Sequence, residues 1–304
     1  MTTLASKTKK VSMVRSKKGL RSKSEILLRN LVVIGLLAYF TVFLIIPIII
    51  AFVGSFNQWN PLKGEFNYIG LENYITMFSS GLFWKSIANT FIFSAIVIIF
   101  RVALGLGIAL AIYSKFVKNK TFFRTIFYMP VVTPLVAVAY VWTFMYNPQI
   151  GLVNSILGTN INWLFDAKYA LGSVMMMTIW KDFGYAVVLY IAGLCSLPSD
   201  CFEASSIDGA NGWQTFRHIT LPLLKPTTLF VVVTSLISYL QTYVPIMVMT
   251  QGGPGTETYL SSYIIFEEAF VKYNFGYASA MSFVLFILIG LLTMLSFKIT
   301  NSES

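Results

Sequence analysis

Groups that carry metal, thiol or acid–base chemistry are scarce in this chain: one histidine, two cysteines and 12 acidic residues among 304. His218 with Cys195 and Cys201 cannot supply the four-ligand spacing of a structural zinc site. Both cysteines fall near a predicted cytosolic membrane edge, where free thiols are expected. There is no H-E-x-x-H run, and with a single histidine neither a zinc protease nor an ordinary Ser/His pair is supported. No G-x-x-x-x-G-K-[ST] occurs, so the chain has no P-loop for ATP. Gly252, Gly253 and Gly255 cluster after an outward-leading apolar run and open no helix behind a strand. A dinucleotide role does not fit them.

Charge is scarce as well, at 11% of residues, where a soluble domain carries about 25%. Hydrophobic residues make up 56%. Several runs of roughly 20 apolar residues are each long enough to cross a ~30 Å hydrocarbon core. The two-residue alternation of a membrane barrel is missing. The fold class is therefore all-α: a polytopic integral membrane protein with six transmembrane helices. The spans are predicted over about 31–54, 86–113, 124–146, 169–194, 223–249 and 276–297. Pro47 interrupts the first and Arg101 lies in the second. Pro130 and Pro134 lie in the third, and Lys181 and Asp182 in the fourth.

The net charge of +10 gathers in a basic tail over 1–30, through Lys7, Lys9, Lys10, Arg15, Lys17, Lys18, Arg21, Lys23 and Arg29. No aromatic residue interleaves these charges, so membrane lipid is the expected partner and nucleic acid is not. Loop charges alternate along the chain. Lys115, Lys118, Lys120 and Arg124 separate spans two and three, whereas Lys168 is the only basic residue between three and four. Arg217 and Lys225 lie between four and five, Lys272 is alone between five and six, and Lys298 follows the last. The alternation predicts a cytoplasmic membrane location with both termini in the cytosol.

Two segments outside the spans stand out. The external stretch over 55–85 carries Trp59, Phe66, Tyr68, Tyr74, Phe78, Phe83 and Trp84, which suits a helix at the membrane–water interface. The cytosolic loop over 196–226 is bounded by Pro198, Pro222 and Pro226. In it, Ala204, Ser205 and Ser206 would keep one face of a short helix flat, and Gly209 suits a left-handed stop. Trp213, Phe216 and Ile219 follow at i, i+3 and i+6, one face of a second short helix. A mere connector needs neither the glycine break nor the tryptophan. The pattern predicts a rigid elbow below the membrane.

Glu203-Ala204 through Asp208-Gly209-Ala210, followed by Ile219, Leu221-Pro222 and Pro226, resembles the EAA loop of binding-protein-dependent ABC importer permeases, close to the sugar branch. Ser205 stands where a second alanine is usual. Ile69-Gly-Leu-Glu-Asn-Tyr74, Asn89-Thr90 and Met249-Thr-Gln-Gly-Gly-Pro254 agree with the same branch. The last is similar to the first permease of maltose and glycerol-phosphate systems. The resemblance implies a type I ABC importer permease fold and a transport subunit that is not itself an enzyme. The implied partners are a second six-helix permease, an ATPase dimer that binds ATP and Mg, and an extracytoplasmic solute-binding protein. Glu203, Ala204, Ser205, Asp208, Gly209 and Ala210 would couple to the ATPase.

The implied cargo is a mono- or oligosaccharide, neutral or anionic. Rings suited to sugar faces and polar groups suited to hydroxyls lie deep in spans four and five: Trp180, Asp182, Tyr185, Ser238, Tyr239, Gln241 and Tyr243. Trp180 is about 16 Å from the outer end of span four, and Tyr239 about 24 Å from the inner end of span five. The same groups also suit helix–helix contacts. Arg101 and Lys181 would either lie against Asp182 or line the path of an anionic sugar. Two other classes fit less well. An ion-coupled transporter would show paired acids or broken helices in two related halves, and a membrane enzyme would need a convergent titratable constellation.

Overall fold

The computed structural model describes residues 23–114 and 117–301; the basic tail up to residue 22 and Lys115 lie outside them. The chain divides into two units, 1–50 and 51–304. In the first, α1 (Lys23–Phe40) leads through a π-type turn (Thr41–Ile45) into the beginning of α2 (Ile46–Gly54). Pro47 lacks the N–H of a regular turn, and beside it Ile46 N–H reaches back five residues to Thr41 O, a local adjustment that keeps membrane carbonyls paired. All side chains from 27 to 50 are exposed.

The second unit opens on a hairpin, β1 (Asn57–Asn60) and β2 (Glu65–Tyr68), followed by α3 (Glu72–Ser79). The interface helix expected over 55–85 is thus a helix only in its second half. Asn60 Oδ1 accepts from the N–H groups of Leu62 and Lys63 at 3.1 and 3.2 Å, which fixes the turn. Trp59 pairs with Phe66 across the strands, ring centroids 5.8 Å apart.

α4 (Gly81–Tyr113) starts five residues earlier than the predicted second span. Then come α5 (Lys120–Val132), α6 (Leu135–Met145), α7 (Leu152–Leu157) and α8 (Ala170–Cys195). The predicted third span is two helices bent by 94°. Pro134 forces its predecessor out of the helical region, and Thr133 accordingly has ψ 136°. The cytosolic elbow follows: α9 (Ser199–Ile207), α10 (Gly212–Thr215), a π-type turn (Phe216–Thr220) and α11 (Leu221–Leu223).

α12 (Lys225–Leu240) carries the fifth span, and the chain breaks before α13 (Val244–Met249). The helix expected to run on to 249 ends because Pro245 has no N–H for the Gln241 carbonyl. After α14 (Ser261–Phe266) and a π-type turn (Glu267–Val271), α15 (Phe275–Asn301) closes the unit. Among the described residues four helices are long and apolar enough to span a membrane, and up to six spans result if each bent pair counts as one.

α8 is the central helix of this unit: 56% of its apolar window is buried, against 28% for α4 and 17% for α15. At Gly184 a Cβ would run into the Phe127 carbonyl of α5, so glycine sets how closely these two helices approach. Two apolar cores stack along α8. One gathers Phe93, Val97, Val174, Met177 and Ile246, and the other Ala109, Ile112, Val187, Tyr190 and Val231.

Candidate functional site

Between those two cores lies a polar layer. Arg101 of α4 donates through Nη1 to Ser235 Oγ at 3.0 Å and to Tyr239 OH at 3.1 Å, both on α12. Tyr239 OH donates in turn to Asp182 Oδ2 of α8 at 3.3 Å. Lys181 Nζ lies 3.7 Å from Asp182 Oδ1 and donates to Val131 O at 3.2 Å. That carbonyl belongs to the last turn of α5, opened by the Pro134 bend, and the ammonium suits the negative end of a helix. The guanidinium carbon sits 5.3 Å from the Tyr185 ring centre and 5.6 Å from that of Tyr239. Cation–π attraction is strongest in such desolvated positions.

The seven residues expected along a sugar path do not form one site in this structure, and Ser238 is exposed and bonds only its own helix at Thr234 O. Asp182, Tyr185 and Tyr239 join the polar layer, and Tyr239 is buried in it rather than facing a cavity. Trp180 points elsewhere, its ring 5.5 Å from Trp142. Gln241 and Tyr243 line a separate, mostly apolar groove of about 730 Å³ with Phe266 and residues of α15. The α12–α13 break accounts for this separation, because beyond Leu240 the helical periodicity no longer holds. Ser262 Oγ donates to the Leu240 carbonyl exposed by that break, at 3.1 Å.

In the elbow, α9 ends on Gly209 at φ +73°. Gly209 N–H bonds Ser206 O and Ala210 N–H bonds Ser205 O, at 3.3 and 2.9 Å, the paired pattern of a left-handed helix stop. Two residues on, Asn211 and Gln214 form a reciprocal capping box: Gln214 N–H to Asn211 Oδ1 at 3.0 Å, and Asn211 N–H to Gln214 Oε1 at 2.8 Å. The Asn-x-x-Gln spacing that builds this box is a local signal carried by the sequence itself. With both helix ends hydrogen-bonded, the turn between them is stiff.

A groove of about 550 Å³ runs between the elbow helices, lined by Ala204, Ser205, Asp208, Ala210 and Ile219 among others. Glu203 is exposed on α9. Trp213 and Phe216 pack together at 5.5 Å, but Ile219 does not extend their face. The π-type turn, in which Leu221 N–H bonds Phe216 O, inserts an extra residue and rotates Ile219 into the groove. Ile207 and Trp213 are 86% and 66% exposed.

At the other end of the unit, the short motifs become pins. Asn73 Nδ2 donates to the carbonyls of Ser55 and Asn57 at 2.9 and 3.1 Å, holding α3 to the hairpin. Asn89 Nδ2 donates to Glu257 O and Tyr259 O at 3.0 and 3.1 Å, fastening the loop after Gly252-Gly-Pro254 to α4. Lys85 pairs with Glu257 at 2.8 Å. Burial opposes the charged form of Lys272, but a hydrogen bond to Glu268 and the charges of Glu268 and Glu267 raise its pKa above the ordinary value. A polar groove of about 630 Å³ lies here, lined by Asn60, Glu65, Glu72 and Lys272 among others. Among the described residues no cluster suits a metal ion.

Comparison with known proteins gives three consistent findings. The pattern of the family described as "Binding-protein-dependent transport system inner membrane component" matches residues 102–302. The trehalose/maltose transport system permease protein MalF of Thermococcus litoralis is 34% identical over 276 residues, 88% of this chain and 92% of that one. The multiple sugar-binding transport system permease protein MsmF of Streptococcus mutans is 32% identical over 273 residues, 85% and 94% of the two chains. Among solved structures, a bacterial alginate ABC transporter in complex with an alginate pentasaccharide-bound periplasmic protein contains a chain that superposes with TM-score 0.78. Its identity is 25%, over 90% of this chain and 93% of that one.

Proposed function

The chain belongs to the family of inner membrane components of binding-protein-dependent transport systems, and on that premise we propose that it forms half of a sugar-conducting pathway driven by ATP hydrolysis elsewhere. The observation that carries this reading is the stiff elbow, set in a chain with no nucleotide-binding loop. Substrate class follows from the curated relatives, whose names refer to trehalose, maltose and multiple sugars.

In this reading the chain pairs with a second six-helix permease and has no catalytic activity. Glu203, Ala204, Ser205, Asp208, Gly209 and Ala210 dock against an ATPase dimer, which holds ATP and Mg. The closed turn passes displacement on to α8 and α12, where a floppy loop would absorb it. A solute-binding protein delivers the sugar at the face holding the hairpin and the Asn89-pinned loop. Asp182, Tyr185 and Tyr239 contact the sugar once the polar layer opens, and both termini lie in the cytosol.

Reconstitution tests this. Vesicles holding both permeases, the ATPase and the binding protein should take up sugar only with ATP inside the cytosol-equivalent compartment, and uptake should survive collapse of ion gradients. Uptake that needs a gradient and no ATP would return the chain to the class of ion-coupled transporters.

A further inference from the structure

The charges of the polar layer do not balance. Asp182 is the only acidic residue on α4, α5, α6, α8, α12 or α13, yet two cations, Arg101 and Lys181, are buried beside it at 6% and 8% exposure. Lys181 has Asp182 at 3.7 Å and the Val131 carbonyl at 3.2 Å. Arg101 has only neutral partners: the hydroxyls of Ser235 and Tyr239 and the ring faces of Tyr185 and Tyr239. A guanidinium this deep with no direct counter-ion is costly in a hydrocarbon slab.

The open valence has a direction. Both of its hydrogen bonds leave from Nη1, and Nε is buried without a partner. Nε and Nη2 form the parallel N–H fork that a carboxylate or phosphate bridges with two oxygens. One side of the layer is less enclosed, since Tyr185 is only half-buried and the Asp182 side chain is 28% exposed. Seven residues away on the same face of α4, Ser94 Oγ is likewise buried without a partner.

We infer that Arg101 is the recognition group for an acidic sugar, one carrying a carboxylate or phosphate that supplies the missing counter-ion as the sugar passes the layer. This rests on the sugar-importer reading above. A neutral sugar would leave the guanidinium as poorly compensated as the empty layer does. Lysine at this position would keep the charge but lose the two-pronged fit.

The test uses the complete importer in vesicles, with saturating binding protein and three probes: a galacturonate trisaccharide, a hexose phosphate and a neutral trisaccharide. Wild type should take up one of the two acidic probes, and which one identifies the acidic group. Arg101→Gln should lower that uptake at least tenfold while ATPase assembly and sugar affinity of the binding protein stay unchanged. Arg101→Lys should recover part of it. Wild-type uptake of the neutral probe alone overturns the inference, as does an acidic uptake indifferent to Arg101→Gln. So does failure of Arg101→Gln to assemble, with no recovery in Arg101→Lys, which would mark an ion pair with the second permease. Transport of no sugar at all, with ATPase turnover intact, would instead refute the sugar-importer reading.

Discussion

Gly184 shows how narrow the tolerance is at single positions. Its missing Cβ leaves room for the Phe127 carbonyl, whereas a Cβ at Gly172, on the same helix, would meet nothing within 4 Å. Gly184→Val should therefore cost about 2 kcal/mol or more in overpacking, lowering the melting temperature of the purified protein by roughly 5 °C. Gly172→Val should leave it nearly unchanged. Equal shifts in thermal unfolding would mean that the α5–α8 approach is not limiting. At this scale the sequence disclosed depth better than direction. Asp182 and Tyr239 were both picked out by depth, and the structure joins them. Trp180 has the right depth as well, but it lies two residues from Asp182, about 200° around the helix. Arg101 was legible as a deep cation; that Ser235 and Tyr239 hold it depends on helix packing that no local pattern encodes.

At the level of elements, hydropathy marks apolar runs but is blind to bends. Pro130 and Pro134 were visible, yet a window average cannot distinguish a straight span from two helices at 94°. Pro245 likewise sat unread inside the predicted fifth span, which overran the end of α12 at Leu240. The hairpin was hidden by its aromatic residues, which suit an interface helix equally well; only the Asn60-Pro61 turn signalled it. The elbow was the most legible element, because glycine and proline punctuation dominates short helices. Its stiffness can be tested in steps. Asn211→Ala removes one cap, worth about 1 kcal/mol, and should lower the ratio of sugar moved to ATP hydrolysed a few-fold in the reconstituted importer. Gly209→Val, forced into a left-handed backbone, should abolish transport while the protein still inserts. Unchanged ratios in both variants would reduce the elbow to a connector.

For the molecule as a whole, the proposed orientation can be checked with the two native thiols. Cys195 and Cys201 are free, and Cys195 is exposed at the elbow end of α8. A membrane-impermeant maleimide should label Cys195 in inside-out vesicles and spare it in intact cells. Labelling from outside would invert the topology that the loop charges predict. That topology came from a sum over many weak signals, and no single residue determines it.

The polar layer has one more consequence, for a cell that must hold a voltage across the membrane housing this protein. A pathway wide enough for a sugar is a hazard at rest, because protons and sodium would run through any continuous thread of water. On the pathway proposed above, cargo would meet a sheet of interlocked hydrogen bonds carrying surplus positive charge, with an apolar core on either side. Fixed positive charge in a low-dielectric constriction repels small cations. The membrane potential, worth about 2.3 kcal/mol per elementary charge at 100 mV, must then drive ions against that barrier. The layer would therefore act as an electrical insulator whenever no cargo is present, and proton leak through resting vesicles under an imposed potential reads that property directly.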